Sequence, residues 1–165
     1  MKKDPFQPLD DDARALTRSL IQSARFGALG VLSPETGAPL VTRVAVGTDV
    51  DGTPVTLISD LSAHTAALKS DPRCSVLLGE PSAKGDPLTH PRISLQCDAE
   101  FVARDAPERE ELRAKYLKDH PKAKLYADFA DFHFVRFKLR GGLLNGGFGR
   151  AYRLTNADFE GILAG

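Results

Sequence analysis

The chain has 165 residues, of which 42% are hydrophobic and 27% are charged. This composition predicts a packed core and excludes a disordered chain. The length is typical of one domain, so we expect residues 1–165 to form a single domain. The 22 basic residues are balanced by 22 acidic residues, which argues against nucleic acid or an anionic membrane as a partner, because both bind basic surfaces.

The N-terminus and the cysteines indicate the compartment. Residues 1–8 include two lysines but no apolar segment follows, unlike in a secretory signal, and no run of about 18 apolar residues occurs that could span a membrane. We therefore expect a cytoplasmic protein. Cys74 and Cys97 lie in apolar, strand-like segments, and buried free thiols are favoured over a disulfide between them.

Helical periodicity and turn signals predict the elements of the first half. Acidic residues precede basic ones in the first segment, which suits the helix dipole. The three apolar runs that follow are separated by short turns, and consecutive strands joined in this way predict a meander. The predicted elements are a helix over 11–25, strands over 27–33, 39–46 and 54–59, and a short helix over 62–70 that ends before Pro72.

The second half returns to strands and ends in a helix. The glycine-rich segment 141–149 is interpreted as a bend or bulge, and a phosphate-binding loop is disfavoured because only 16 residues follow it. This order predicts one antiparallel sheet curled into a barrel, with helices outside. The predicted elements are strands over 74–78, 93–103 and 132–139, a loop over 79–91, helices over 107–119 and from Pro121, and a C-terminal helix from Asn156.

The barrel core is predicted from the apolar residues of these strands. Three aromatic residues of the last predicted strand are expected to pack against the core or against a partner chain. The predicted core residues are Val44, Val46, Val76, Leu78, Ile93 and Leu95, and the aromatic residues are Phe132, Phe134 and Phe137.

Several kinds of reaction chemistry are excluded by missing motifs. The chain lacks a phosphate-binding P-loop, a Gly-x-Ser-x-Gly nucleophile elbow, a Cys-x-x-Cys pair and a His-Glu-x-x-His zinc motif. No catalytic residue is therefore assigned. No metal site is expected, because metal-ligand spacing is missing among the four histidines, which are His64, His90, His120 and His133.

One pair of segments predicts a ligand. If the meander forms, the strand that carries Arg43 lies beside the segment from Ser59 to His64. The N-terminus of the short helix favours a phosphate, and the hydroxyls of Ser59 and Ser62 add donors. Arg43 can bind an oxyanion in a bidentate way. Taken singly, Ser62 is an N-cap, Arg43 a surface residue and His64 a solvated side chain. Taken together, they favour an anion site.

These segments resemble a known family. They are similar to the pyridoxamine 5′-phosphate oxidase-like superfamily of FMN-binding split β-barrels, and further motifs resemble its haem-utilisation (HugZ-like) branch. The resemblance spans residues 12–155. The segments that carry it are Pro39–Arg43, Ser59–Thr65 and Ser70–Leu78 for the superfamily, and His64-Thr65, Asp71-Pro72-Arg73, Pro91–Leu95, His120–Ala123, Asp131-Phe132 and Gly146–Ala151 for the branch.

The resemblance implies a fold, a cofactor and a partner. The implied fold is mainly β (α+β), a six-stranded antiparallel split β-barrel with flanking helices. The implied assembly is a homodimer that holds FMN in clefts between two barrels. Arg43 falls at the family's phosphate-binding arginine, and Ser59 and Ser62 fall at its hydroxyl positions. His64 stands where the oxidases carry a lysine, and Arg92 falls near a glutamine that they place close to the flavin ring.

Departures from the family pattern define two hypotheses. Thr48 stands where the oxidases have a second basic residue, and neither their arginine-rich ending nor the C-terminal domain of the haem-degrading relatives is found before Gly165. The first hypothesis is an FMN-dependent oxidoreductase, in which the flavin transfers electrons and the protein binds and orients it. The alternative is a non-enzymatic haem-binding or regulatory split-barrel protein that has lost flavin. Thr48 and His64 favour the alternative, because both weaken a basic phosphate pocket.

Overall fold

The structure is a computed structural model that describes residues 2–165. Within that range, eight strands and four helices follow one another, with short 3₁₀ helices over Pro87–Thr89 and Pro121–Leu125. The helices are α1 (Asp11–Ser23), α2 (Ala63–Ser70), α3 (Arg109–Asp119) and α4 (Asn156–Ala164). The strands are β1 (Phe26–Leu32), β2 (Pro39–Ala45), β3 (Gly47–Thr48), β4 (Pro54–Ser59), β5 (Arg73–Leu78), β6 (Arg92–Phe101), β7 (Phe132–Asn145) and β8 (Ala151–Thr155).

The strands form one antiparallel sheet in the order β2-β1-β5-β6-β7-β4-β3, and β8 also pairs with β7. The prediction of a mainly β, antiparallel split barrel with flanking helices is confirmed. The strand number differs from six, because the two-residue β3 and the strand β8 were not expected. β7 continues through Gly141 and Gly142, and the chain turns later, where Gly147 and Gly149 have φ values of +126° and +71°.

The predicted meander is wrong, since β4 pairs with β7 and not with β2. Residues 54–58 of β4 are buried in succession, so this strand needs packing on both faces, which a three-stranded meander does not supply. β2 lies at one edge of the sheet instead. The curl of the sheet returns β2 to β4, where the Thr56 hydroxyl donates to the Ala45 carbonyl at 2.6 Å. This contact closes the barrel.

Apolar residues from both halves of the chain fill the barrel. The six residues predicted for the core are all buried. Of the aromatic residues of β7, Phe134 and Phe137 are buried, and Phe132 packs half-buried against a second cluster beneath α3. Burying one large apolar side chain contributes about 1.5–3 kcal/mol relative to leaving it exposed, so these residues hold the sheet in its curled form.

Capping residues set the starts of the first and last helices. The Asp10 carboxylate accepts the backbone N–H of Ala13 at 2.8 Å, and Thr155 and Asp158 form a capping box at the start of α4. The helix α1 ends at Ser23, two residues before its predicted end. Across residues 2–165, none of the helices is both long and apolar enough to cross a membrane.

Candidate cofactor site

Polar side chains gather at the junction of β4 and α2. Ser62 is the N-cap residue of α2, but its hydroxyl makes no capping hydrogen bond. Ser59 ends β4, and its hydroxyl donates to the Asp131 carboxylate and accepts the backbone N–H of Leu61, both at 3.1 Å. The Ser59 hydroxyl is therefore already engaged, whereas the Ser62 hydroxyl does not bond to the helix end that it caps.

His64 lies in the first turn of α2 and is buried. Its Nδ1 is 2.9 Å from the Thr42 hydroxyl, so the two segments predicted to be neighbours do meet, through barrel closure and not through a meander. Burial lowers the pKa of His64 below its usual value of 6.5, because a buried cation loses its hydration. The imidazole is therefore neutral at pH 7 and supplies no positive charge to this corner.

A charged network that the sequence analysis missed borders the corner. Asp60 Oδ1 accepts hydrogen bonds from Lys69 Nζ and from His133 Nε2, each at 2.8 Å. The bond from Lys69, followed by that from His133, lowers the pKa of Asp60. The Lys69 ammonium offsets the charge of Asp60, so Asp131 is the carboxylate that opposes a further anion near the start of α2. Only the pairing of β4 with β7 brings His133 to this place, so no local sequence signal reveals it.

The Arg43 side chain leaves β2 on the face opposite to the one that contacts His64. Thr42 and Arg43 are successive strand residues, so their side chains leave opposite faces of the sheet. The Thr42 side chain turns to His64, whereas Arg43 is exposed, with its guanidinium 5.6 Å from the centroid of the Phe26 ring. The structure therefore separates Arg43 from the polar side chains at the start of α2.

Arg43 belongs to a sheet face that carries exposed apolar residues. Directly opposed residues of antiparallel strands point to the same face, and one row of them crosses six strands. We call the surface around this row the outer face. The row is Arg43, Ala28, Leu77, Ser94, Leu143 and Arg153. The exposed apolar residues of the outer face are Phe26, Val41, Leu77 and Leu143. An apolar patch with cations at its rim is typical of a surface that binds a ligand or a second protein.

Arg92 lies on the same outer face, two residues before Ser94 in β6. Its guanidinium donates to the Leu88 carbonyl at 2.9 Å and to the His90 carbonyl at 3.3 Å, which joins it to the loop before β6. Three inter-strand spacings, roughly 14 Å along the sheet, separate β2 from β6. The guanidinium groups of Arg43 and Arg92 therefore place two positive charges on the outer face.

Two cavities open on the outer face. One of about 340 Å³ is bordered by Phe26, Val41, Arg43 and Leu77. The second, of about 470 Å³, lies over β1, β5 and β6. A larger cavity of about 710 Å³ lies beside α4 and includes none of the predicted site residues. Between residues 2 and 165, no group of His, Cys, Asp and Glu side chains is arranged to hold a metal ion. The outer face therefore combines Arg43, exposed apolar residues and two cavities.

Two proteins of similar sequence have names that refer to haem. The chain is 33% identical over 123 residues to the non-canonical heme oxygenase HOZ, chloroplastic, of Arabidopsis thaliana, which covers 73% of this chain and 36% of HOZ. The chain thus spans about a third of the length of that curated relative. The structure of a heme binding protein from Mycobacterium smegmatis is 31% identical, with a TM-score of 0.83 over 93% of this chain and 62% of that chain.

A third likeness concerns the fold alone. A Clostridium acetobutylicum protein of the pyridoxinephosphate oxidase family, related to general stress protein 26 of B. subtilis, has a TM-score of 0.66 at 14% identity, over 89% of this chain and 96% of that chain. The predicted resemblance to this split-barrel superfamily is confirmed. The model of the family described as CREG, beta-barrel matches residues 8–160. Because that match covers nearly the whole chain, the protein belongs to the CREG beta-barrel family.

Proposed function

We propose that this protein binds haem on the outer face, with Arg43 and Arg92 pairing with the carboxylates of the porphyrin. The observation that carries the proposal is an apolar sheet face with these two guanidinium groups on it. Haem combines a flat apolar ring with two carboxylate side chains, and guanidinium groups form strong, directional pairs with carboxylates. Phe26, Val41 and Leu77 offer exposed apolar surface for the ring.

A second copy of the chain covers the remainder of the outer face in this proposal. Exposed apolar residues that form one patch are unfavourable in water, and homodimers bury the same patch of both subunits against each other. Haem then lies in a cleft between two barrels. The homodimer predicted from the family resemblance is thus part of the same proposal.

The residues of this chain bind and orient the cofactor. Haem supplies one-electron and oxygen chemistry when it is bound. Arg43 and Arg92 set the position of its carboxylates, and Phe26 provides an aromatic contact beside Arg43. The names of the heme oxygenase HOZ and of the heme binding protein of M. smegmatis support haem as the ligand class.

FMN is the second candidate ligand, favoured by the start of α2. The Ser62 hydroxyl makes no capping bond, and the N–H groups of a helix start attract phosphate. In this version the protein is an FMN-dependent oxidoreductase in which the flavin carries the electrons. The residues proposed to hold FMN are Arg43, Ser59, Ser62 and His64 at the phosphate and Arg92 near the ring. Haem is preferred because Arg43 and His64 lie on opposite sides of β2, and because the Asp131 carboxylate occupies the Ser59 hydroxyl beside the start of α2.

Parallel titrations with haem and with FMN test the proposal. We expect haem to give a saturable Soret band, and Arg43→Ala to weaken its binding roughly 10- to 150-fold, since a hydrogen bond to a charged group contributes about 1.5–3 kcal/mol. The control is Arg14→Ala on α1, which removes an arginine remote from the outer face and leaves the affinity unchanged. Equal haem affinity of the wild type and Arg43→Ala contradicts the assignment.

The FMN titration distinguishes the second candidate. If the flavin is the ligand, FMN raises the melting temperature, and Arg43→Ala weakens FMN binding more than His64→Ala does, because the neutral imidazole makes the weaker bond. A protein that binds FMN but not haem contradicts the haem proposal. A protein that binds neither contradicts both.

A further inference from the structure

Strand pairing is interrupted along one edge of β7. On this edge, β4 pairs with residues 132–136 and β8 pairs with residues 141–145. In the chain described from residue 2 onward, no strand pairs with residues 137–140 on that edge, and no backbone hydrogen bond outside the sheet ladders involves them. We call this stretch the β7 gap. Strand residues direct their N–H and C=O groups to the two edges by turns, so the β7 gap presents unpaired backbone groups.

The cavity of about 710 Å³ beside α4 lies at the β7 gap. It is lined by Lys138 and Leu139 of the gap itself, by the turn between β3 and β4, and by α4. It shares no lining residue with the two cavities of the outer face. Its volume falls within the range of about 300–1,000 Å³ that is typical of ligand pockets. The β7 gap therefore has room for an occupant apart from the proposed haem or FMN site.

The two faces of β7 differ at the gap. Leu139 is buried, as is Phe159 of α4, and Leu163, one turn further along α4, is half-buried. These three residues give the cavity an apolar wall. Lys138 leaves β7 on the opposite face from Leu139 and is exposed. A strand added at the gap therefore meets apolar side chains on one face and charged side chains on the other.

Arg136 holds the turn between β3 and β4 against β7. Its guanidinium pairs with the Asp49 carboxylate and, at 3.0 Å, with the Asp51 carboxylate. It also donates to the Thr53 hydroxyl at 3.4 Å. The positive charge of Arg136 is thus offset by two carboxylates within the fold.

Negative charge is in excess around the cavity. Lys138 Nζ is 3.9 Å from Glu100 Oε1, which is too long for a hydrogen bond, and both side chains are about half exposed. Glu160 adds an exposed carboxylate from α4. With the pairs of Arg136 included, four carboxylates stand against two cations. The carboxylates are Asp49, Asp51, Glu100 and Glu160, and the cations are Arg136 and Lys138. This balance favours a cationic occupant.

We propose that the β7 gap is a docking site for a short extended peptide with alternating basic and apolar side chains, which adds a strand between β4 and β8. The peptide backbone pairs with the unpaired groups of residues 137–140, as in other cases of strand addition. Its apolar side chain packs on Leu139 and Phe159, and its basic side chains face the carboxylates. Four residues of β7 span roughly 13 Å, which accommodates about three or four residues of a second strand.

Titration of the ¹⁵N-labelled wild-type protein with the peptide Ac-Lys-Leu-Lys-NH₂, followed by amide NMR, tests the proposal. We expect saturable shifts centred on the amides of residues 137–140 and on α4. Ac-Glu-Leu-Glu-NH₂ reverses the charge, and butylamine carries the charge without a peptide backbone. We expect neither to give saturable shifts at the same concentrations. Methylation of all three amide nitrogens of the basic peptide removes its strand-pairing donors and is expected to abolish binding.

Each control identifies a different failure of the proposal. Equal binding of the acidic peptide overturns the charge assignment, and equal shifts with butylamine show a site for amines instead of peptides. Undiminished binding of the methylated peptide overturns strand addition. Shifts confined to other surfaces, or no saturable shifts with the basic peptide, overturn the proposal as a whole.

A matched pair of glutamine variants tests the role of Glu160. We expect Glu160→Gln to weaken binding of the basic peptide about 1.5- to 5-fold, because an exposed ion pair contributes about 0.2–1 kcal/mol. The control is Glu35→Gln, which removes an exposed carboxylate from the turn between β1 and β2 and leaves the affinity unchanged. Arg43→Ala is also expected to leave it unchanged, so failure of the haem proposal does not affect this result. Equal affinity of the wild type and Glu160→Gln overturns the role of Glu160.

Discussion

The charge state of His64 follows from its place in the first turn of α2. The start of a helix disfavours a cation, and burial lowers the pKa of this imidazole. Both effects keep the ring neutral. The hydrogen bond between Thr42 and His64 therefore joins β2 to α2 where the barrel closes, without adding a positive charge to the corner.

We expect the His64 imidazole to titrate below 6.5, the usual value. The unfolded chain takes up this proton near 6.5, whereas the folded protein does so only at lower pH. The contribution of His64 to stability is therefore complete above 6.5 and is lost as the pH falls from 6.5 toward the folded-state pKa. NMR of the imidazole nitrogens gives the pKa, and urea unfolding at several pH values gives the stability.

Two glutamine variants isolate this effect. His64→Gln is expected to remove the part of the acid destabilisation that begins near 6.5. His133→Gln serves as the control, because it removes the more exposed histidine that contacts Asp60 and leaves His64 in place. An identical pH dependence in the wild type and His64→Gln contradicts the prediction.

Residue type could be predicted from the sequence at this corner, but side-chain direction could not. Arg43, Ser59, Ser62 and His64 were chosen as anion-binding residue types near a helix start. A step of one residue, from Thr42 to Arg43, changes the face of β2 that a side chain leaves. The direction depends on which face packs against α2, and that is a property of the closed barrel.

Local signals determine where elements begin and end, while strand partners depend on the whole fold. The strand predicted over 54–59 is β4 (Pro54–Ser59), yet its partner is β7, far along the chain. β8 was missed because Gly141 and Gly142 suggested that the preceding strand ends. A Cβ at Gly142 would lie 2.8 Å from the Phe159 ring, so glycine here lets α4 pack on a strand that continues.

The connection between β5 and β6 depends on a glycine of a different kind. Gly79 has a φ of +107°, and a Cβ there would lie 2.5 Å from the Pro91 carbonyl oxygen and 2.8 Å from the Arg92 Cα. Gly85 in the same loop also has a positive φ, of +86°, but its Cβ would meet only His90 Nε2, at 3.5 Å. Replacing either glycine strains the backbone because both have a positive φ. Only at Gly79 would the added Cβ also collide with neighbouring backbone atoms.

We expect Gly79→Ala to destabilise the protein more than Gly85→Ala does. Left-handed geometry costs a residue with a Cβ about 1–2 kcal/mol, and crowding adds about 1–3 kcal/mol at Gly79 alone. Urea unfolding of both variants measures the difference. Because Gly79 abuts Arg92, the same substitution is expected to weaken cofactor binding. Equal losses of stability in Gly79→Ala and Gly85→Ala contradict the role assigned to the close contact of Gly79 with Pro91 and Arg92.

Across the whole molecule, the two faces of one sheet have different environments. Residues of β1, β5 and β6 that point inward form the core. Their outward neighbours on β1 and β5 are small, apolar or cationic, whereas those on β6 also include Gln96, Asp98 and Glu100. This alternation is visible in the sequence, and it predicted the core residues correctly. The same pattern does not show that β8 extends the outer face to Arg153, because that depends on the turn after β7.

The proposed homodimer places the outer face of each chain against that of the other. Val41 is 66% exposed on the edge strand β2, so a lysine there costs the monomer little, whereas a buried, unpaired lysine at a dimer interface is unfavourable. Val41→Lys is therefore expected to give a folded monomer in sedimentation velocity under conditions where the wild type is a dimer. Leu125→Lys, at a residue 79% exposed and outside the outer face, is the control and should remain dimeric. A wild-type monomer, or dissociation by Leu125→Lys but not by Val41→Lys, excludes the outer face as the interface.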